Sequence, residues 1–346
     1  MTSQTLFGTE LPIIQAPMAG VQASALAVAV CNAGGLGSLP AALLSPDSLK
    51  SELAAIRAQT RQPLNLNFFC HSPPTPSEER EAAWRAALGP YYREYDIDPA
   101  SIAAGPGRNP FSAESIALVE EFRPAVVSFH FGLPAPELVS RLKATGASII
   151  SSATTVDEAL WLEARGADAI IAQGLEAGGH RGHFLSDDLT VQLGTFALLP
   201  QIVRAVKVPV IAAGGIADRK TVQAALALGA SAVQLGTTYL LCPEATTSAV
   251  YRAALKSPDS RHTALTNLFS GRPARGIVNR VMRELSPLSD KPPAFPLATT
   301  AILPLRSKAE AQGRGDFTSL WSGQNASGCR EIPAGDLTRA LAGVGS

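Results

Sequence analysis

Three times in this chain a glycine-alanine pair closes a helix-like stretch and runs straight into an apolar segment: Gly146-Ala147-Ser148, Gly166-Ala167-Asp168 and Gly229-Ala230-Ser231. The segments that follow include IIAQ and AVQL, and PVIAA belongs with them; all are continuous apolar runs rather than alternating ones. Parallel strands covered by helices on both faces read that way, because neither face meets water. The same rhythm extends along the chain, with strands expected at Pro12–Gln15, Leu36–Leu39, Leu64–Phe69, Ala125–Phe131, Ala147–Ser152, Ala169–Gln173, Val208–Ala213 and Ala232–Leu235. Helix-start chemistry falls between them. Ser45-Pro46 precedes Leu49, Leu53 and Ile56 at helical spacing, Thr155 and Glu158 make a capping-box pattern, and Asp218 stands before the next helix. Eight strands alternating with helices predict an α/β chain folded as a (β/α)8 TIM barrel. An open doubly wound sheet shares the alternation but usually begins with GxGxxG after its first strand. Here the first strand ends in Ala16-Pro17-Met18-Ala19-Gly20 instead.

The rhythm breaks from His71 to about Pro110, where prolines, a charged helical piece around Glu78–Leu88 and the run YYREYDID read as an insertion. A chain of 346 residues leaves room for a barrel of about 250 residues with a smaller companion. Charge excludes some partners: 29 basic residues balance 29 acidic ones, so no overall positive field favours nucleic acid or an anionic membrane. Cys31, Cys70, Cys242 and Cys329 form no CxxC pair, which points away from a metal site or a disulfide framework. No apolar run reaches the roughly 18 residues of a membrane span, and the first twenty residues lack an export pattern. The expectation is an unexported protein of the reducing cytoplasm.

Residues just past the strand ends of such a barrel converge on one face. They are Met18 and Ala19, Asn67, His130, Gln173 with Gly178-Gly179-His180, Gly214-Gly215, and Gly236-Thr237. Glycine turns after the last two strands suit a phosphate held by backbone N–H groups. Asn67 and Gln173 carry amides that both donate and accept, as a flavin's pyrimidine edge requires, or else they are satisfied polar residues inside the barrel. His180 can change charge near neutral pH, so Gly-Gly-His is either an active-site loop or a glycine turn with a surface histidine. His130 sits in an apolar strand, where a histidine also serves as a packing residue.

PIIQAPMAG, VSFHFGLP at Val127–Pro134, QGLEAGGHRG at Gln173–Gly182, AAGGIAD, QLGTTYL, FSGRPARGIVNRVM at Phe269–Met282 and LWSGQ at Leu320–Gln324 together resemble the motifs of nitronate monooxygenases, formerly called 2-nitropropane dioxygenases. They span nearly the whole chain. The resemblance implies a barrel over residues 1–245 that holds non-covalent FMN, a smaller substrate-covering domain at 246–310, and a return to the barrel at 311–346. It implies oxidation of alkyl nitronates, propionate 3-nitronate among them, and of nitroalkanes by O₂, giving a carbonyl compound and nitrite, with no metal. By motif position Ala16, Pro17, Met18, Ala19, Asn67, Gln173, Gly178, Gly179, Gly214, Gly215, Gly236 and Thr237 would hold FMN. His180 matches the active-site histidine, a base toward neutral nitroalkanes and an anion-orienting group toward nitronates, and His130 matches a second histidine of open role. Arg181 and His183 would be supporting or solvated loop residues, while Tyr251 and Arg275 are candidates to reach over the mouth. Relatives would carry tyrosines near Phe295–Leu303, where this chain has FPLATTAIL. An FMN-dependent NAD(P)H reductase of the enoyl-acyl carrier protein or quinone type shares the phosphate turns and is the alternative enzyme; a flavin-binding barrel without turnover is the non-enzymatic one.

Overall fold

The computed structural model describes residues 6–103 and 107–344; residues 1–5, 345–346 and three residues of the expected insertion, 104–106, lie outside the described residues. The described residues form eleven strands: β1 (Ile13–Gln15), β2 (Gly37–Pro40), β3 (Leu64–Phe69), β4 (Val126–His130), β5 (Ser148–Ala153), β6 (Ala169–Gln173), β7 (Gly179–His180), β8 (Val210–Ala213), β9 (Ala232–Leu235), β10 (Thr263–Thr266) and β11 (Ala274–Ile277). Eight of them, β1 to β6 with β8 and β9, pair in parallel in the order β1-β9-β8-β6-β5-β4-β3-β2. The remaining seam closes through a parallel bridge between Ile14 and Leu36, with Gln15 N–H donating to Leu36 O at 3.0 Å and Leu36 N–H to Ile13 O at 2.9 Å. The sheet is therefore a closed (β/α)8 barrel. Leu36, expected inside the second strand, is its closing residue.

Helices α1 (Ser24–Asn32), α2 (Pro46–Gln59), α3 (Glu78–Glu94), α4 (Ala113–Phe122), α5 (Pro136–Ala144), α6 (Val156–Ala164), α7 (Thr195–Ala205), α8 (Arg219–Ala227), α9 (Ala249–Lys256), α10 (Arg280–Glu284), α11 (Ala298–Ala311) and α12 (Ala334–Ala342) complete the fold. Barrel and helices pack as two shells. Inside, Ile14, Leu36, Val126, Ile150, Ile171 and Ile211 fill the barrel; outside, residues such as Leu26, Leu162, Leu198 and Ile202 join the helices to it. The glycines of the three repeats adopt φ of 87° (Gly146), 92° (Gly166) and 101° (Gly229), the left-handed values that end a helix at little cost only when Cβ is absent. Ser45 and Asp218 cap their helices as expected. The capping box at Thr155 forms only in half: Thr155 Oγ1 accepts from Glu158 N–H, but the Glu158 carboxylate turns to Thr154 N–H at 2.7 Å and to Phe184 N–H at 2.6 Å. That acid is buried, and its job is to tie α6 to the loop after β7.

A second cluster stands on the C-terminal side of the barrel. Trp84, Leu88, Tyr92 and Tyr95 of the insertion pack with Leu268, Met282, Ile302, Leu305 and Phe317. Helix α3 does not stop near Leu88; it runs through the first aromatic residues of YYREYDID to Glu94, because Tyr91 and Tyr92 continue its buried stripe. Trp84 Nε1 donates to Ala298 O at 3.1 Å and Tyr92 OH to Ala301 O at 2.7 Å, so α3 is bonded to the first turn of α11. Strands β10, β11 and β7 form a separate antiparallel sheet beside this cluster. Replacing Trp84 by alanine removes a fully buried indole and should cost about 3–5 kcal/mol. The expected outcome is a lowered urea midpoint, with loss of α3–α11 contact visible as faster amide exchange in both helices.

Candidate active site

The C-terminal ends of the barrel strands open into one cavity of about 250 Å³. Ala16, Pro17, Met18, Ala19, Asn67, Gln173, Gly178, Gly179, Gly214, Gly215, Gly236 and Thr237 all line it, and so do His130 and His180. Each is held by local bonding. Ala16 N–H donates to Leu235 O at 2.8 Å, and Met18 N–H to the Gln22 side chain at 2.7 Å, which fixes the Ala-Pro-Met turn between β1 and α1. Thr195, the first residue of α7, has its hydroxyl 2.9 Å from both Gly214 O and the Glu176 carboxylate, which also accepts from its N–H. The segment Ser322–Asn325 stitches the glycine turns together: Gly323 N–H donates to Thr237 Oγ1 at 2.9 Å, and Asn325 Nδ2 to Gly215 O at 3.0 Å. A Cβ on Gly178 would stand 2.5 Å from Gly323 N, so this approach requires glycine.

His180 reaches the cavity because two residues of its loop leave the barrel and become an edge strand. Gly179 pairs with Arg275 and His180 with Ala274, so β7 belongs to the small sheet although it follows β6 directly. The imidazole stands among Phe295, Trp321 and Phe69, with ring centroids at 5.3, 5.6 and 6.3 Å. Its Nε2 lies 2.8 Å from Ser270 Oγ. Burial, reinforced by the nearby Arg108 guanidinium, pushes the His180 pKa well below the ordinary imidazole value. His180 is a neutral ring at neutral pH.

His130 is held differently. Its Nε2 donates to His180 O at 3.0 Å, so its Nδ1 accepts from the Ser152 hydroxyl at 3.0 Å, and both nitrogens are engaged within the protein. Gln173 is engaged too, with Nε2 donating to His180 O at 3.0 Å and Oε1 accepting from Gly182 N–H at 2.8 Å. Its amide grips the His180 loop. Asn67 donates from Nδ2 to the Ser128 carbonyl and hydroxyl, which leaves Oδ1 as an acceptor.

Arg181 and His183, for which supporting and solvated roles were both open, are buried, and of the two candidates for the mouth only Tyr251 reaches the cavity. Arg181 is fully buried, donating to Gln173 O, Gly174 O and Gln192 Oε1 at 2.7–2.9 Å. His183 is 2% exposed, with Asp187 3.5 Å from its Nε2, and burial lowers its pKa to about 4. Arg275 braces the loop by donating to Leu175 O at 3.0 Å and lies off the cavity. Tyr251 does line it, with its hydroxyl donating to Trp321 O. Phe295 opens the segment FPLATTAIL, near which tyrosines were expected. Arg108, Gln234, Arg306 and Trp321 also line the cavity; Gln234 and Trp321 lie within the motifs QLGTTYL and LWSGQ, whereas no local pattern singles out Arg108 or Arg306. The Gln234 side-chain oxygen is buried without a hydrogen-bond partner among the described residues, an acceptor waiting for a donor. Among the described residues no group of three or more His, Cys, Asp or Glu could hold a metal ion.

Burial lowers the His130 pKa from 6.5 to about 3. Between those values the unfolded chain binds a proton that the folded one refuses, so stability from this group is complete above pH 6.5 and is lost as pH falls toward 3. The His130 ring resonances should therefore show no titration between pH 8 and 5, and the acid slope of the denaturant midpoint should be shallower in His130→Gln.

The nitronate monooxygenase family model matches residues 2–343. The chain is 44% identical over 345 residues to a nitronate monooxygenase of Pseudomonas aeruginosa, covering 97% of this chain and 96% of that one, and 42% identical to one of Paraburkholderia phytofirmans, covering 99% and 96%. Among solved structures it resembles nitroalkane oxidase from Streptomyces ansochromogenes, with a TM-score of 0.88 and 39% identity over 97% of this chain and 95% of that one. It also resembles FabK from Thermotoga maritima, with a TM-score of 0.72 and 28% identity over 97% and 92%. Family match, identity and fold agree with the cavity at the barrel's C-terminal face: the chain belongs to the nitronate monooxygenase family of flavin oxidoreductases.

Proposed function

We propose that this protein oxidises alkyl nitronates with O₂ to a carbonyl compound and nitrite, accepts nitroalkanes by first removing their α-proton, and uses FMN as its flavin. What carries the reading is His180: a neutral imidazole on the cavity wall, enclosed by aromatic rings and faced by cationic Arg108. An uncharged base beside a fixed positive charge suits a substrate that is an anion or becomes one.

The residues present fit FMN. The Gly214-Gly215 and Gly236-Thr237 turns supply a cradle for the phosphate, and the Gly236 Cβ position, 3.4 Å from Ala16 Cβ, is space that a side chain would fill. Asn67 Oδ1 and Gln234 Oε1 offer acceptors to the ring's N–H edge. Bound FMN would supply the electron transfer between nitronate and O₂. The protein's own part is proton handling and placement. Ser270 Oγ donates to Arg272 O at 3.3 Å, so it accepts from His180 Nε2–H, which leaves the Nδ1 lone pair to take a proton. Gln173 and His130 both bond the His180 carbonyl and so set the ring's position. His130, with neither nitrogen spare, is a positioning residue in this reading. Arg181 and Gly178 keep the loop's path. We assign the barrel to residues 1–245 and the covering domain to 246–310, with α3 docked on the latter. Four free cysteines, each with its thiol pKa raised by burial, fit a reducing cytoplasm, and no helix among the described residues is long and apolar enough to cross a membrane.

Anaerobic mixing tests the reading: a nitronate should bleach the flavin and NAD(P)H should not, whereas rapid bleaching by NAD(P)H alone would make the protein a reductase. In His180→Asn, flavin reduction by a neutral nitroalkane should fall at least about a hundredfold, while oxidation of the preformed nitronate falls much less. Equal losses would move the base elsewhere. Gly236→Val should weaken FMN binding by at least about tenfold, read by fluorescence titration of the apoprotein, with little change in the denaturant midpoint, because φ at Gly236 is −114° and open to any residue.

A further inference from the structure

Phe131, in the motif VSFHFGLP, has a backbone conformation that its side chain disfavours. Its φ is 71°, and the next residue, Gly132, follows at 93°. Glycine takes such values freely, but a residue with a Cβ holds them only where its surroundings over-determine it, and such residues gather at functional sites. The turn redirects a side chain. Along β4 the side chains alternate: Phe129 packs outward with Phe68 and Ile116, whereas Ser128, bonded by Asn67, and His130 face inward. Continued by one residue, the alternation would send Phe131 outward as well. Its ring instead comes to rest, buried, with its centroid 4.6 Å from that of His130, 5.5 Å from that of Phe295 and 6.2 Å from that of His180. Phe131 does not itself line the cavity, so it meets the histidines without meeting a substrate.

One cation holds the ring there. The Arg272 guanidinium carbon is 4.4 Å from the Phe131 ring centre, a cation–π contact, and a terminal nitrogen of the same group donates to the His183 carbonyl. Arg272 thereby joins the end of β4 to the loop that carries His180. Its own segment reaches the imidazole too, since Ser270 Oγ lies 2.8 Å from His180 Nε2 and donates to Arg272 O. His130 completes the link by donating from Nε2 to His180 O. Resting on the assignment of nitroalkane oxidation to this cavity, we propose that Phe131 is a positioning residue: turned inward by its left-handed backbone and held by Arg272, it sets His130 and His180 in the places from which His180 takes the α-proton of a nitroalkane. It also shuts water away from both rings. The charged and titratable groups around His180 are Arg108, Arg272, His130 and His183, and His71 packs on Phe131 with centroids 6.3 Å apart. Water admitted by loss of the ring would solvate a charged imidazole and screen the two guanidinium groups, so both effects raise the His180 pKa toward its ordinary value.

The test uses the FMN-loaded enzyme and two substitutions at one position. Phe131→Leu removes the ring and keeps an apolar side chain; Phe131→Gly removes the ring at a φ that glycine adopts without strain, so its backbone is preserved even where Phe131→Leu fails to fold. In both, flavin reduction by a neutral nitroalkane should fall roughly tenfold to a hundredfold, the scale of a misplaced catalytic group, while oxidation of the preformed nitronate falls less. The pH profile separates placement from packing. A protonated imidazole cannot accept a proton, so the nitroalkane rate of the variants should drop with acidity between about pH 7 and 5, where the wild-type rate shows no such limb. Arg272→Gln, which keeps the ring and removes its cation, should show the same limb with a smaller loss, and combining it with Phe131→Leu should cost less than the product of the two single losses. His180 ring resonances read the placement without turnover: over the same range they should titrate in Phe131→Gly and stay unchanged in the wild type. That titration, found in a protein whose wild-type flavin no nitro compound reduces, would sink the assigned reaction and keep Phe131 as the residue that sets the imidazole. Equal losses on nitroalkane and nitronate without an acid limb, or a His180 ring that titrates in neither protein, would make Phe131 a packing residue and overturn the proposal.

Discussion

The active loop depends on one buried guanidinium. Arg181 is fully buried, yet no carboxylate among the described residues pairs with it; its three side-chain hydrogen bonds go to the carbonyls of Gln173 and Gly174 and to the Gln192 side chain. Burial lowers its pKa only to about 10, so it stays charged at neutral pH, and it stays there because partial negative charges surround it. The consequence is geometric. Gln173 and Gly174 are the last residue of β6 and the one after it, while Arg181 N–H itself donates to Pro273 O just before β11. A single residue thus locks the barrel's strand end to the small sheet. His180 precedes it and Gly182 follows it. Lysine could not replace it, having a point charge where a planar fork is needed.

That lock makes the electrostatics of the histidines possible. A loop free to swing outward would let water reach His130 and His180, and their pKa values would return toward the ordinary range. Held inward, both rings are desolvated, and the guanidinium groups of Arg108, Arg181 and Arg272 add to the field that keeps them neutral. The two neutral rings nevertheless differ in what they can do. His130 has both nitrogens bonded inside the protein, whereas the His180 ring bonds Ser270 through one nitrogen and meets the cavity. Position within the bonding pattern, more than pKa, separates a supporting histidine from one that can act.

How much of this was legible in the sequence follows from what each feature rests on. Barrel strands announce themselves, because burial on both faces demands continuous apolar runs such as IIAQ and VIAA, and the glycine-alanine pairs mark where each helix must end. Strand β7 could not be read: two residues, Gly179 and His180, carry no periodicity, and only pairing with Arg275 and Ala274, almost a hundred residues away, makes them a strand. For Arg181 and His183 the sequence leaves supporting and solvated roles open, since a charged residue in a glycine loop is ordinarily solvated, and burial decides for the first. The α3 helix was visible, but its partner was not; nothing near Trp84 or Tyr92 in sequence indicates that their polar atoms will bond to the carbonyls of Ala298 and Ala301. Arg108 and Arg306 matter through convergence alone, and convergence is a property of the fold.

The cavity therefore has two ends built on different principles. At the end beside β8 and β9, the cradle is made of backbone and glycine, tied by Thr195, Gly323 and Asn325, so its shape survives wide change in the side chains around it. At the other end Arg108, Arg306 and Trp321 meet the cavity through side chains contributed by the insertion, α11 and the C-terminal segment. Each of those can change without disturbing a strand. Kinship in this fold thus speaks to the barrel and its backbone turns, whereas these side chains arrive from outside the barrel, and it is there that FPLATTAIL departs from the tyrosines expected of relatives.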